Sequence, residues 1–118
     1  MPKDGVVGEI TLNTRRAADG RHPPFISTVT LPATHAAWPE GTLLAAGTEP
    51  GTATAAVNAN GSNIFGVLEE AAEANAAVGN VLLHGSCAAE VLHWVDGNDI
   101  KPVNENQIKA LRGIGIYV

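Results

Sequence analysis

The chain has 118 residues, which suits one domain, and carries a formal net charge of −5. It contains no run of about 18 apolar residues, so no membrane span is expected, and its N-terminus lacks the unbroken apolar stretch of a signal peptide. A single cysteine, Cys87, excludes an internal disulfide framework and fits synthesis in a reducing compartment.

Apolar residues make up 45% of the chain, but nineteen of them are alanine. So few large side chains predict a thin core that a partner subunit would help to complete. Charge is unevenly placed. No Lys or Arg occurs between Arg21 and Lys101, yet that span holds Glu40, Glu49, Glu69, Glu70, Glu73, Glu90, Asp96 and Asp99. Nucleic-acid backbones need basic side chains to displace their counterions, so direct nucleic-acid binding by this body is excluded. Residues 1–22 carry Lys3, Arg15, Arg16 and Arg21 against Asp4, Glu9 and Asp19, which on charge alone describes a solvated mixed-charge tail.

In chain order, residues 1–24 read as an arm and 25–118 as a β-rich domain. "VVGEITL" alternates weakly, with Val6, Gly8, Ile10 and Leu12 on one face and Val7, Glu9 and Thr11 on the other. Polar turn formers follow, up to the Pro23-Pro24 break. A lone strand is unstable in water, so this segment pairs with the body or awaits a foreign sheet edge. "FISTVTLPA" is the next β-prone run, and Pro39 and Gly41 announce a turn into a short strand over residues 42–46. "TATAAVNANGSNIFGVLEE" predicts a hairpin around Asn60-Gly61, the pair suited to a type I′ turn.

"EEAAEANAAVGN" (69–80) has helical propensity but no spaced large apolar residues, which predicts an exposed loop with at most one helical turn. "VLLHGSC" and "EVLHWV" resume strand character, separated by Ala88-Ala89, and "DGNDIKPVN" reads as a loop. The end of the chain predicts two turns of helix. Asn104 is the N-cap, Gln107 occupies the capping-box position, and Gly113 takes the left-handed cap. "IGIYV" then forms a final strand, its apolar side chains buried in a sheet.

Candidate chemistry is sparse. A nucleophilic Cys87 would need a neighbouring base, but in a strand His84 and Cys87 face apart. His84, Cys87 and His93 supply only three zinc ligands at no common spacing. His22 and His35 are isolated. Asp96 and Asp99 lack the spacing of a calcium loop, and Glu69 and Glu70, adjacent in sequence, point to opposite sides. "HGSCA" is not a nucleophile elbow and "RGIGIYV" is not a dinucleotide fingerprint. The residues therefore predict no enzyme, cofactor or metal. A second reading is a β-domain that binds a glycan or small molecule through Trp38, Trp94 and Tyr117.

Five segments in order, "TVTLPA", "WPEGTLLAAGT", "IFGVLEEA", "VLLHGSCAAEVLHW" and "QIKALRGIGIYV", together resemble the phage head decoration family, the lambda-type capsid cement proteins. The resemblance spans residues 8–118, and its ending is the most specific part. It departs from the family pattern in the Ala-rich 69–80 loop and in "ATHAAWP". The resemblance implies a mainly β, β-clip-like small barrel or sandwich with one or two short helices and an extended N-terminal arm. It further implies a non-catalytic homotrimer at three-fold sites on the outside of the virion, made in the bacterial cytoplasm and bound to the major capsid protein. The capsid-binding arm it implies comprises Val6, Val7, Gly8, Glu9, Ile10, Thr11, Leu12, Arg15 and Arg16.

Overall fold

A computed structural model describes Ala17 and residues 23–118. The protein is mainly β. Eight strands are described: β1 (Phe25–Thr30), β2 (Leu43–Ala46), β3 (Ala53–Thr54), β4 (Ile64–Leu68), β5 (Val78–Ser86), β6 (His93–Asp96), β7 (Asp99–Pro102) and β8 (Ile116–Tyr117). The α-helix among the described residues, α1 (Glu105–Gly113), precedes β8, and a single 3-10 turn covers Ala89–Val91.

The main sheet runs β1-β5-β4-β2-β3, with β8 parallel to the end of β5. Every other pairing along it is antiparallel. The two edge strands meet at one corner. Thr30 bridges Thr52, the residue before β3, and the Thr30 N–H donates to the Gly51 carbonyl at 2.9 Å. This contact begins to roll the sheet into a small barrel.

Consecutive strand residues feed two separate cores. In β2, Leu43 and Ala45 join one core, while Leu44 joins the other. In β5, Leu82 and Val81 divide the same way. A sheet covered on both faces reads as an unbroken apolar run, which is why "TLLAA" shows no alternation. One face is covered by Leu111 of α1, Ile116 of β8, Leu92 and Cys87. The other is covered by Leu31, Trp38 and the small residues Ala53, Ala55 and Ala72. Each fully buried leucine contributes about 1.5–3 kcal/mol. Alanine's short side chain keeps the second core thin.

Ala17 belongs to the first core. It is 2% exposed, and its N–H donates to the Glu69 carbonyl at 3.1 Å. The folded body therefore reaches back to a residue inside the segment read as arm.

Several local expectations are corrected. No hairpin forms around Asn60-Gly61: β3 and β4 each pair with β2 and not with each other. Only Gly61 of that pair has positive φ, at 77°, so the type I′ turn is absent. Gly61 instead lies against the helix, where a Cβ would come within 2.8 Å of Ala110 Cβ. The "DGNDIKPVN" segment is not a loop throughout: only its start is a turn, and residues 99–102 form β7, paired with β6 so that Asp96 stands opposite Asp99. The loop expected over 69–80 forms, but it is shorter and less exposed than expected: it ends at residue 77, Glu69 and Ala72 are buried within it, and Val78, Gly79 and Asn80 already belong to β5.

Helix α1 carries the full capping box, with Asn104 and Gln107 bonded reciprocally. Its exit differs from expectation. Gly113 is the last helical residue, Ile114 is the C-cap, and Gly115 adopts the left-handed conformation at φ 95°. Ile116 is then fully buried, as expected of the final strand, whereas Tyr117 is 49% exposed.

Candidate interaction surface

The arm residues Val6, Val7, Gly8, Glu9, Ile10, Thr11, Leu12, Arg15 and Arg16 lie outside the described residues, as does His22. The side chains considered for catalysis or metal binding are kept apart. Cys87 is fully buried, and its N–H donates to the Tyr117 carbonyl at 2.8 Å. His84 is exposed, its ring 6.3 Å from that of Phe25. His93 anchors the start of β6 through its N–H, which donates to the Gly41 carbonyl at 2.9 Å, while its Nδ1 is buried without a hydrogen-bond partner. Among the described residues no three His, Cys, Asp or Glu side chains gather as a metal site.

Glu69 and Glu70 do face apart. Glu69 is 1% exposed, and Glu70 accepts from Asn80 Nδ2 at 3.2 Å. Across the β6–β7 turn, Lys101 Nζ donates to Asp96 Oδ2 at 2.5 Å. That hydrogen bond, with the Asp96 charge, raises the lysine above its ordinary 10.5. The pair's contribution is therefore present at neutral pH and is lost only as pH climbs above that ordinary value. Both groups are half-exposed, so salt screens the attraction.

The three rings proposed as a glycan platform do not converge. Trp38 is buried in the second core, stacked on His35 at 4.3 Å with planes 19° apart. Trp94 packs against the first core on the opposite face of the sheet. Tyr117 is exposed on β8, which corrects the expectation that it packs in the core.

Two segments singled out as departures from the family pattern are laced together. Trp38 and Ala72 exchange backbone hydrogen bonds of 2.9 and 2.8 Å. The His35 N–H donates to Asn75 Oδ1 at 2.9 Å, the Asn75 N–H returns a bond to the His35 carbonyl at 3.0 Å, and His35 Nε2 lies 2.9 Å from the Ala76 carbonyl. Asn75 makes this junction in the left-handed region, at φ 61°. Beside it opens a cleft of about 540 Å³ bordered by His35, Trp38, Ala55, Val95 and Ile100. It is the size of a small-molecule site, but its walls are mainly apolar and both His35 ring nitrogens face backbone carbonyls.

Exposed apolar residues lie at both ends of the β1–β5 pair. Phe25 is 60% exposed at one end and Val78 56% at the other, and Ile100 stands out on β7, all of whose residues are exposed. No helix among the described residues is long and apolar enough to cross a membrane. No protein-family model matches the chain, and no curated protein matches it.

Proposed function

We propose that this chain is a decoration, or cement, protein of a bacteriophage head. It binds the outside of the expanded shell as homotrimers at three-fold sites and holds neighbouring copies of the major capsid protein together. The reading is carried by the order and spacing of five segments, ending in "QIKALRGIGIYV", where a capped helix turns at Gly115 into a strand paired with β5. The small β body and the alternating segment ahead of it support the same reading.

The physical account is strand addition. Residues Val6, Gly8, Ile10 and Leu12 alternate with Val7, Glu9 and Thr11, the pattern of a segment that completes an exposed sheet edge. Main-chain hydrogen bonds supply affinity, and the apolar side chains fix register. A ligand that binds only the intact shell stabilises it by mass action, which opposes internal DNA pressure.

Deletion of residues 2–12 tests this directly. The shortened protein should keep the unfolding midpoint and oligomeric state of the full chain, yet fail to sediment with expanded, undecorated heads that take up the full chain to saturation. Undiminished uptake of the deletion variant would falsify the arm's role, and glycan binding without head uptake would favour the rival reading.

A further inference from the structure

We infer that Asn60-Gly61 is a latent site of spontaneous isoaspartate formation, and that helix α1 holds it closed. Asparagine followed by glycine is the pair in which this reaction is easiest, because no side chain shields the glycine nitrogen. Of the asparagines in the chain, only Asn60 has that neighbour. Asn60 is exposed on the 55–63 loop, whereas Gly61 is buried.

The chemistry needs only solvent. The Gly61 nitrogen attacks Asn60 Cγ, the new N–Cγ bond closes a cyclic imide, and the Cγ–Nδ2 bond breaks. The amide proton leaves with Nδ2 as ammonia. Water then opens the imide at either carbonyl, giving aspartate or isoaspartate, with no oxidation or reduction.

Half of the reactive arrangement is present in the fold. Asn60 Oδ1 accepts the Ser62 N–H at 3.0 Å, which draws electron density from Cγ. The other half is blocked. The Gly61 N–H donates to the Asn58 carbonyl at 2.9 Å, so the nitrogen can neither shed its proton nor turn onto Cγ without breaking that bond. The helix holds the acceptor in turn: Gln107 Nε2 donates to the Asn58 carbonyl at 3.3 Å, and Asn104 Nδ2 to the Ala59 carbonyl at 2.9 Å. Gly61 has no room to swing towards α1, since a Cβ added there would meet Ala110 Cβ at 2.8 Å and Gln107 Cα at 3.1 Å. Within the loop, the Asn58 N–H donates to Asn63 Oδ1 and Asn58 Nδ2 to Ser62 Oγ, both at 2.7 Å.

Reaction therefore requires the loop to part from α1, a local opening of the kind that needs no global unfolding. The product then prevents their return. Isoaspartate routes the main chain through the former side chain, adding a carbon and a negative charge beside a glycine already in contact with the helix. A reversible opening becomes a permanent one. The inference stands independently of the decoration reading.

The test uses the free, full-length protein aged in warm, mildly alkaline buffer. Cleavage after Glu40 and Glu69 releases residues 41–69, and fragmentation in a mass spectrometer locates amide loss at Asn58, Asn60 or Asn63. An isoaspartyl methyltransferase measures the isoaspartate formed. Unfolding in guanidinium chloride should speed amide loss at Asn60 about tenfold or more. Gln107→Leu and Asn104→Ala, which release the loop from the helix in an otherwise folded protein, should also speed it about tenfold. Leu44→Ala weakens the second core, which does not include α1, and should change the rate by less than about threefold. In protein aged to isoaspartate, the amides of α1 should exchange with solvent about tenfold faster than in fresh protein. The inference is overturned if the folded protein loses the Asn60 amide as fast as the unfolded chain, if Leu44→Ala matches the helix variants, or if Asn58 or Asn63 reacts before Asn60. Should the helix variants not fold, hydrogen exchange decides alone: unchanged protection of α1 in the aged protein sinks the inference.

Discussion

Gln107 shows how one buried side chain joins parts of the chain far apart in sequence. Its backbone N–H donates to Asn104 Oδ1 at 2.9 Å, its Oε1 accepts the Asn104 N–H at 3.1 Å, and its Nε2 donates to the Asn58 carbonyl at 3.3 Å. Asn104 Nδ2 donates in turn to the Ala59 carbonyl at 2.9 Å. The capping box thus also bolts the helix to the 55–63 loop. Leucine at 107 would keep the volume but remove two part-buried hydrogen bonds, to the Asn104 N–H and the Asn58 carbonyl, so Gln107→Leu should cost about 1–3 kcal/mol. Asn104→Ala should cost about 1–2 kcal/mol through loss of the cap. Urea unfolding with linear extrapolation measures both. Because the residues share one network, the double variant should cost less than the two single costs combined. The cap is legible in the sequence, since Asn104 and Gln107 stand three apart before an apolar run. The bolt is not, because nothing in "VNANGSN" announces that its carbonyls face a helix.

The same division between local and distant holds for the elements. Leu43 and Leu44 are both fully buried, but in different cores. Leu43→Ala and Leu44→Ala should therefore each cost about 2–5 kcal/mol. Sharing no cavity, the two losses should add to within about 0.5 kcal/mol in the double variant. A sheet with one wet face would instead lose stability at only one of the two positions, so chemical denaturation of the three variants checks the two-core arrangement. Strands such as β1 and β2, and the helix, are legible because their signals are local: β-branched residues in "FISTVT" and a start signal at Asn104. Pairing is not, because β2 inserts between β3 and β4. The Asn-Gly pair at 60–61 is overridden by the close approach of the helix at Gly61, a tertiary demand that no dipeptide preference contains. The cleft beside Trp38 is equally hidden. Its borders come from residues around 35, 55 and 95–100, many of them alanines that carry no binding signature.

At the scale of the whole molecule, the proposed function makes attachment a problem of several weak contacts acting together. The sixteen residues ahead of Ala17 can span at most about 55 Å when extended. Once one arm of a trimer has paired with a shell subunit, the other two search only that small volume, at an effective concentration far above that of free protein. Light scattering should first return three times the 12.1 kDa chain mass for the free protein or for material released from shells. Trimers can then be refolded from mixtures of full chains and chains lacking residues 2–12, and separated by arm number with a tag on one species. If the arms act multivalently, each arm removed should weaken shell binding by about 10–100-fold, mainly through faster release. A rigid body that docked through its own surface would show little dependence on arm number. A dependence confined to the last arm would mean that one arm suffices, and the shell would then be held by a tether and not by a cement.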